Sequence, residues 1–201
     1  MNKLWARERG ILQLDEKEVI RQAQQNNEDA FEKLVIKYKP YIEKLSYQFG
    51  IQPENIPDIV QESFIKIYQN LNQFHRGKFS TWLYQITLNV VRDAYRKKQR
   101  ELRIINKAIT NKKEQIVSHF YFENDDYLLL HQAIQLLDEN YRLPLILFYF
   151  HDQSYEEIAI ILELKLSSVK TRMYRGRGKL KLLYENLERE EAMTNGRQTL
   201  G

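Results

Sequence analysis

Apolar residues recur every three to four positions along most of this chain, and no stretch of useful length alternates as a strand would. Asp15-Glu16-Lys17-Glu18 has the spacing of a capping box and predicts a short helix. Asn27 is placed to cap a longer one, with Phe31, Leu34, Val35, Tyr38, Ile42 and Leu45 on one face. Pro40 predicts a bend, because proline removes one backbone bond and crowds the preceding turn. Gly50 predicts the stop. The chain restarts between Pro53 and Pro57, the second proline suiting a first helical turn. Ile59, Val60, Phe64, Ile67, Tyr68 and Leu71 then form a stripe, with Asp58, Gln61, Glu62, Lys66 and Gln69 opposite. Phe74 to Phe79, around Gly77, reads as a loop. Ser80 is the expected cap of a helix that turns Trp82, Leu83, Ile86, Val90 and Ala94 inward and runs out into Arg96-Lys97-Lys98.

From residue 99 to 125 the period weakens, with Ile104, Ile105 and Ile109 hinting at a short helix inside a linker. A second module follows. Leu128, Leu129, Ala133, Ile134 and Leu137 make one helix, and Leu143 to Phe150 a very apolar second, with Pro144 near its first turn. Ser154-Tyr155-Glu156-Glu157 is another capping box, opening a helix through Ile158, Ala159 and Leu162. After a turn at Glu163–Leu166, Ser167 or Ser168 is expected to cap a last helix. Its inner positions Val169, Met173, Gly176, Leu180, Leu183 and Leu187 are spaced alternately four and three. The tail from Glu188 is polar and is expected to fray. The expected architecture is all-α: two small helical domains, 15–98 and 126–187, joined by a flexible linker over 99–125. An N-terminal extension (1–14) and a polar tail (188–201) complete the chain.

Composition narrows the function classes. The 201 residues contain no cysteine, so disulfide scaffolds and thiolate metal sites are excluded. The first thirteen residues carry Lys3, Arg7, Glu8 and Arg9 and no long apolar run, unlike a signal peptide. The longest apolar run, Leu143 to Phe150, is far short of the roughly 20 residues of a membrane span. A soluble, cytoplasmic protein without membrane insertion is expected. Net charge is only +4, yet residues 92–113 carry a net +7 and residues 165–181 hold seven basic side chains and no acidic one. The rest of the chain is therefore acidic. Two basic blocks, each ending a helical pattern, point to two contacts with a polyanion.

The second block belongs to a pair of short helices joined by a tight turn, the arrangement of a helix-turn-helix. The second helix of such a motif enters the major groove and needs long or hydrogen-bonding residues near its start. Here these are Ser168, Lys170, Thr171 and Arg172, followed by Arg175 and Arg177. Arginine can grip guanine through two hydrogen bonds, while lysine mostly grips phosphate. Gly176 falls on the inner face, where a missing side chain allows close packing; the pattern offers no role for Gly178.

Three segments of the first module are more specific. They are Pro57-Asp58-Ile59-Val60-Gln61-Glu62-Ser63-Phe64, Phe79-Ser80-Thr81-Trp82-Leu83-Tyr84-Gln85-Ile86, and Asn89 before the basic helix end. Together with Ser154-Tyr155-Glu156-Glu157-Ile158-Ala159 and Val169-Lys170-Thr171-Arg172 through Arg175-Gly176-Arg177, they resemble the bacterial RNA polymerase sigma factors of the extracytoplasmic-function group. The resemblance covers residues 15–98 and 126–187. It implies a transcription initiation factor that directs core RNA polymerase to promoters and promotes DNA opening. Asp58, Gln61 and Glu62 would dock on the coiled coil of the polymerase's largest subunit, which with the flap forms the expected polymerase contact. The loop Phe74 to Phe79 would capture a flipped minus-ten base, using Phe74, His75, Arg76 and Lys78, with Asn89 reading the strand. Arg92, Arg96, Lys97 and Lys98 would track phosphates. Trp82 is expected in the core; Thr81 and Tyr84 could face either way. Ser168, Lys170, Thr171, Arg172, Arg175 and Arg177 would contact the minus-thirty-five duplex. An anti-sigma factor is a further implied partner. The chain lacks the richer melting aromatics and the middle domain of larger sigma factors, so recognition should need both promoter elements.

A conventional helix-turn-helix repressor or activator is the alternative, but it leaves the Asp-x-x-Gln-Glu helix without a purpose. An enzyme is not expected. His75, His119, His131 and His151 are scattered, no glycine-rich phosphate loop exists, and Asp125-Asp126 and Glu156-Glu157 suit helix starts. No cofactor or metal is expected.

Overall fold

A computed structural model describes residues 16–108 and 125–198, all of it helices and their connections. The first module opens with α1 (Glu16–Gln24) and α2 (Glu28–Phe49). Asp15 lies outside the described residues; Glu18 instead binds Arg21 and Gln22 one turn on. Asn27 caps α2, its side chain accepting from Ala30 N at 3.0 Å. Pro40 sits within an uninterrupted α2 on an exposed face, so the carbonyl it leaves unpartnered can reach water. Gly50 ends the helix in the left-handed region at φ 96°. A short 3-10 turn, Pro53–Asn55, leads into α3 (Ile56–Asn70), with Pro57 in its first turn. A second such turn, Leu71–Gln73, leads to the loop before α4 (Phe79–Ala108).

Two expectations change at α4. Ser80 does not cap it: Lys78 O accepts from Thr81 and Trp82, and the Ser80 hydroxyl is buried without a partner. The helix also continues through Ile104 and Ile105 to Ala108, because the Arg-, Lys-, Glu- and Leu-rich run after Lys98 consists of strong helix formers. Ile109 to Asn124 lie outside the described residues, as do residues 1–15 and His119.

The second module comprises α5 (Asp125–Leu136), α6 (Glu139–His151), α7 (Tyr155–Ile161) and α8 (Leu166–Gln198). Helix α6 starts four residues before Leu143, which moves Pro144 into the helix interior. The capping box at α7 forms in both directions: Ser154 Oγ accepts from Glu157 N at 3.2 Å, and Glu157 Oε2 accepts from Ser154 N at 2.8 Å. At α8, Lys165 O receives the first bonds from Ser168 and Val169, so both serines lie in the first turn rather than at the cap. The segment from Glu188 is helical to Gln198, its first part, Glu188 to Met193, a run of strong helix formers.

In the first module α2 packs on α1, α3 and α4; in the second α8 packs on α5, α6 and α7. Ile42, Leu45, Ile67, Leu83 and Leu88 are fully buried in the first, and Ile146, Leu147, Ile158, Val169 and Met173 in the second. Each such side chain stabilises by roughly 1.5–3 kcal/mol, against about 0–1 kcal/mol for a surface ion pair, so packing holds each module. The buried residues of both modules form one continuous cluster. Helices α5 and α6 lie on α2, and α7 lies on α4. The modules thus meet along a seam, although the sequence suggests two domains on a flexible tether.

Candidate nucleic-acid interface

On α8 the inner positions Val169, Met173 and Gly176 are buried, which turns Lys170, Thr171 and Arg175 outward. A Cβ added at Gly176 would stand 3.2 Å from Leu145 Cδ1 and 3.3 Å from Tyr141 Cβ. The missing side chain thus brings α8 close to α6, as its position on the inner face predicts. Ser167, Ser168, Thr171, Arg172 and Arg175 line a shallow cleft of about 390 Å³ beside Asn140 and Tyr141. Thr171 Oγ1 donates to Ser167 O at 2.9 Å. Among the described residues no carboxylate pairs with Lys170, Arg172 or Arg175. Arg177 stands apart from them. It is exposed, and the nearby Tyr149 and Tyr155 side chains of α6 and α7 raise its pKa.

The first module presents two faces. Asp58, Gln61 and Glu62 are exposed on α3, with Lys66 Nζ 3.4 Å from Glu62. Beside them runs an apolar groove of about 590 Å³, lined by Phe31, Val35, Val60, Phe64, Ile65 and Tyr68 among others. The apolar stripe places Tyr68 in the core, yet it is 45% exposed, and Ile65 is 43% exposed. Ile65 gives the only advance signal of this groove: it is an apolar residue off its helix's stripe.

The second face is the loop before α4 and the outer side of that helix. Gln24 Nε2 donates to Leu71 O at 2.9 Å and to Phe74 O at 2.7 Å, which pins the loop. Gly77 turns it at φ 99°. His75, Arg76 and Lys78 are exposed. Phe74 is half-buried, its ring 5.3 Å from Phe79 and 5.5 Å from Trp82, so it supports the loop more than it projects from it. Along α4, Gln85, Asn89, Arg92 and Arg96 follow a four-three-four spacing on one side, with Asn89, Arg96 and Lys97 exposed. Lys98 lies outside the described side chains. Thr81 and Tyr84 both turn inward, 5% and 2% exposed.

The chain matches the family Sigma-70 region 2 over residues 34–101 and the family Sigma-70, region 4 over residues 127–180. It is 34% identical over 176 residues to the ECF RNA polymerase sigma factor SigW of Bacillus subtilis, covering 82% of this chain and 94% of that protein. It is 28% identical over 198 residues to the RNA polymerase sigma-H factor of Pseudomonas aeruginosa, covering 90% and 99%. The chain belongs to the ECF group of bacterial RNA polymerase sigma factors. Among solved structures it is similar to CnrH in complex with the cytosolic domain of CnrY, at 26% identity and a TM-score of 0.65, covering 84% of this chain and 96% of that one. As a sigma factor it is a transcription initiation factor and not an enzyme. No helix among its described residues is long and apolar enough to cross a membrane.

The sigma factor's seam is built from residues to which sequence reasoning gave no role between the modules. Burial holds the Tyr84 phenol well above its usual pKa, and its hydroxyl lies 2.8 Å from His151 Nδ1. Gln48 Oε1, 2.9 Å from His151 Nε2, can only accept, which puts the proton of the neutral imidazole on Nε2 and leaves Nδ1 to accept from Tyr84. Burial, with Lys44 adding to it, pushes the His151 imidazole down to about 3 and keeps it neutral. Gln135 Nε2 donates to Gln48 O at 2.7 Å, and its Oε1 comes so close to Gly50 that a Cβ there would lie 2.6 Å away. The Arg142 guanidinium lies 5.1 Å from the centre of the Phe49 ring. Lys44 Nζ donates to Phe150 O at 2.8 Å, a cation at the C-terminal end of α6.

Proposed function

We propose that this sigma factor docks on core RNA polymerase through the α3 face and reads duplex DNA at the minus-thirty-five element with α8. At the minus-ten element it holds separated DNA with the loop before α4 and the outer side of α4. The docking residues are Asp58, Gln61 and Glu62, and the adjoining groove adds apolar area for a partner helix. In the first module His75, Arg76, Lys78, Asn89, Arg92, Arg96, Lys97 and Lys98 hold the strand, with Phe74 shaping the loop. In the second, Ser168, Lys170, Thr171, Arg172 and Arg175 face the groove, while Arg177 braces the helix and contacts phosphate. The functional domains span 15–98 and 126–187. CnrH, to which the chain is similar in fold and at 26% identity, forms a complex with the cytosolic domain of CnrY, and this supports a protein partner of anti-sigma type here.

The observation that carries the reading is the outward face of α8, where Lys170 and Arg175 are exposed beside Arg172 with no carboxylate among the described residues paired with them. The energy that opens DNA is then binding energy spent on strand separation, not side-chain catalysis. Run-off transcription with bacterial core polymerase on a promoter library tests it. Promoter-specific transcripts that depend on the protein are expected. Tight duplex binding by the protein alone, with no dependent transcripts, would instead identify a conventional regulator.

A further inference from the structure

Helix α1 lies ahead of residues 34–101, the span of the region 2 match, and none of its residues has a part in the function proposed above. It nevertheless reaches both ends of the minus-ten loop. At nine residues it is too short to hold as a helix alone. Its inner face, Val19, Ile20 and Ala23, is buried, and it packs on α2 and on the turn Leu71–Gln73. At its start, Glu16 Oε1 accepts from Lys37 Nζ of α2 at 2.7 Å and from the Tyr38 hydroxyl. Partial burial pushes the Glu16 carboxyl up, but Lys37, Tyr38 and, from the end of the loop, Lys78 outweigh it and hold it below the usual range. Lys78 is also held from the second module, its Nζ 2.8 Å from Glu157 Oε1. At its other end α1 is stopped by Asn26 in the left-handed region at φ 63°, directly before Asn27 caps α2. Both ends of α1 are therefore fixed, and with them the direction of its last residue, Gln24.

Gln24 is half-buried, and its amide nitrogen carries two hydrogens. Both go to the loop: Leu71 O accepts at 2.9 Å and Phe74 O at 2.7 Å. Leu71 O also accepts from Phe74 N at 3.1 Å, so the turn is a closed unit held from outside by one side chain. At Phe74 the chain leaves that turn with φ −80° and ψ 107°. The carbonyl of Phe74 lies in the plane of the peptide that leads into His75. A bond to that oxygen therefore sets the path of His75 and Arg76 towards Gly77 and Lys78. We propose that Gln24 is the positioning residue of the minus-ten loop: its carboxamide fixes the Phe74–His75 peptide, so that the loop offers an unstacked base one set of groups already in place. The proposal rests on the assignment of this loop to the minus-ten strand made above. Gln24 acts on selectivity and not on overall attraction. The cations of the loop and of α4 attract any strand through its phosphates, whereas discrimination between bases needs groups that do not have to be ordered first.

The test uses holoenzyme assembled from bacterial core polymerase and the full chain, on a promoter taken from the library experiment above. Single base changes are made in its minus-ten element and, separately, in its minus-thirty-five element. For each variant the ratio of transcript from the parent promoter to transcript from the changed one is read. That ratio cancels differences in the amount of folded protein and in overall charge. Gln24→Glu keeps the size of the side chain, loses both donors and sets a carboxylate against two carbonyls. Gln24→Met loses the donors without adding charge. Gln24→Lys restores N–H donors on a side chain long enough to reach both carbonyls. At the most selective minus-ten base, discrimination is expected to fall about tenfold in Q24E and Q24M and to return to within about threefold of wild type in Q24K. Discrimination at the minus-thirty-five element is expected to be the same in all three. Unchanged minus-ten discrimination in Q24E and Q24M would overturn the positioning role. A loss at both elements together, which a merely loosened module gives, or no recovery in Q24K would overturn it as well. His75→Ala with Arg76→Ala in the wild-type background checks the underlying assignment separately. Reduced minus-ten discrimination there, with none lost in Q24M, removes Gln24 and keeps the loop. Unchanged discrimination in H75A/R76A removes the loop from the strand, and the positioning role with it.

Discussion

Gly176 and Gly178 stand two positions apart on α8 and meet opposite surroundings. Gly176 faces Leu145 and the Tyr141 Cβ at 3.2–3.3 Å, whereas a Cβ at Gly178 would meet nothing within 4 Å. Alanine favours a helix by roughly 1 kcal/mol over glycine. At Gly178 that gain is unopposed, so Gly178→Ala should raise the stability of the second module by about 0.5–1 kcal/mol. At Gly176 it is set against overpacking of roughly 1–3 kcal/mol, because the Tyr141 Cβ, fixed to its own backbone, cannot swing away as the Leu145 tip can. Gly176→Ala should therefore lower stability by about 1 kcal/mol. Urea denaturation of the two variants checks both signs. The inward position of Gly176 is legible in the sequence because the four-three spacing passes through it. The fate of Tyr84 is not legible. The residue that satisfies its hydroxyl, His151, lies 67 positions away and on the other module. Local spacing carries no record of that encounter.

At the scale of single helices, the apolar periods locate the elements well and their ends less so. The stripe of α6 begins at Leu143, but the helix begins at Glu139, because Arg142 in its polar first turn is buried against Phe49 of the other module. On α3 the acidic-amide row is legible, whereas the groove beside it is signalled by Ile65 alone, since Tyr68 fits the same period as the core. If that face docks on polymerase, Asp58→Lys with Glu62→Lys should weaken affinity for the core enzyme roughly tenfold or more, as like charges meet across the contact. Unchanged affinity would remove those residues from the interface. On α8 the two kinds of cation should separate. Lys170→Ala should weaken binding of minus-thirty-five duplex about equally for all sequences and lower the salt slope by about 1. Arg175→Ala should cost roughly 1–3 kcal/mol against the preferred duplex and relax discrimination at one base pair. Equilibrium titrations at several salt concentrations distinguish them.

In the whole molecule the two modules are joined by a seam whose histidines both come from the second. His151 ends α6 between Tyr84 and Gln48, and His131 on α5 stacks on Tyr47 of α2 at a ring distance of 4.5 Å. Burial lowers both imidazoles below their ordinary value, with Lys44 adding to the effect at His151 and Arg142 at His131. The carboxylate of Asp152, the residue after His151, adds to burial in raising the Tyr84 phenol. The sign of the pH dependence follows. In the unfolded chain a histidine titrates near 6.5. Above that pH both states are neutral and the stabilisation is fully present. As pH falls below 6.5 the unfolded chain takes up a proton that the folded His151, held down to about 3, refuses. Stability is therefore lost as pH falls, with a slope approaching about 1.4 kcal/mol per pH unit from His151 alone. The Glu157–Lys78 pair is lost in the same direction, but only as pH falls below the ordinary range of a carboxylate. The window between pH 6.5 and 5 thus isolates the imidazoles. Denaturation midpoints measured across it should fall for the wild type and stay nearly flat for His131→Gln/His151→Gln. The same acidification should lengthen the distance between labels on the two modules in the wild type, because the protons that the seam refuses can be taken up once it opens. A flat wild-type profile would mean that water already reaches His151, and that the seam is not closed in solution.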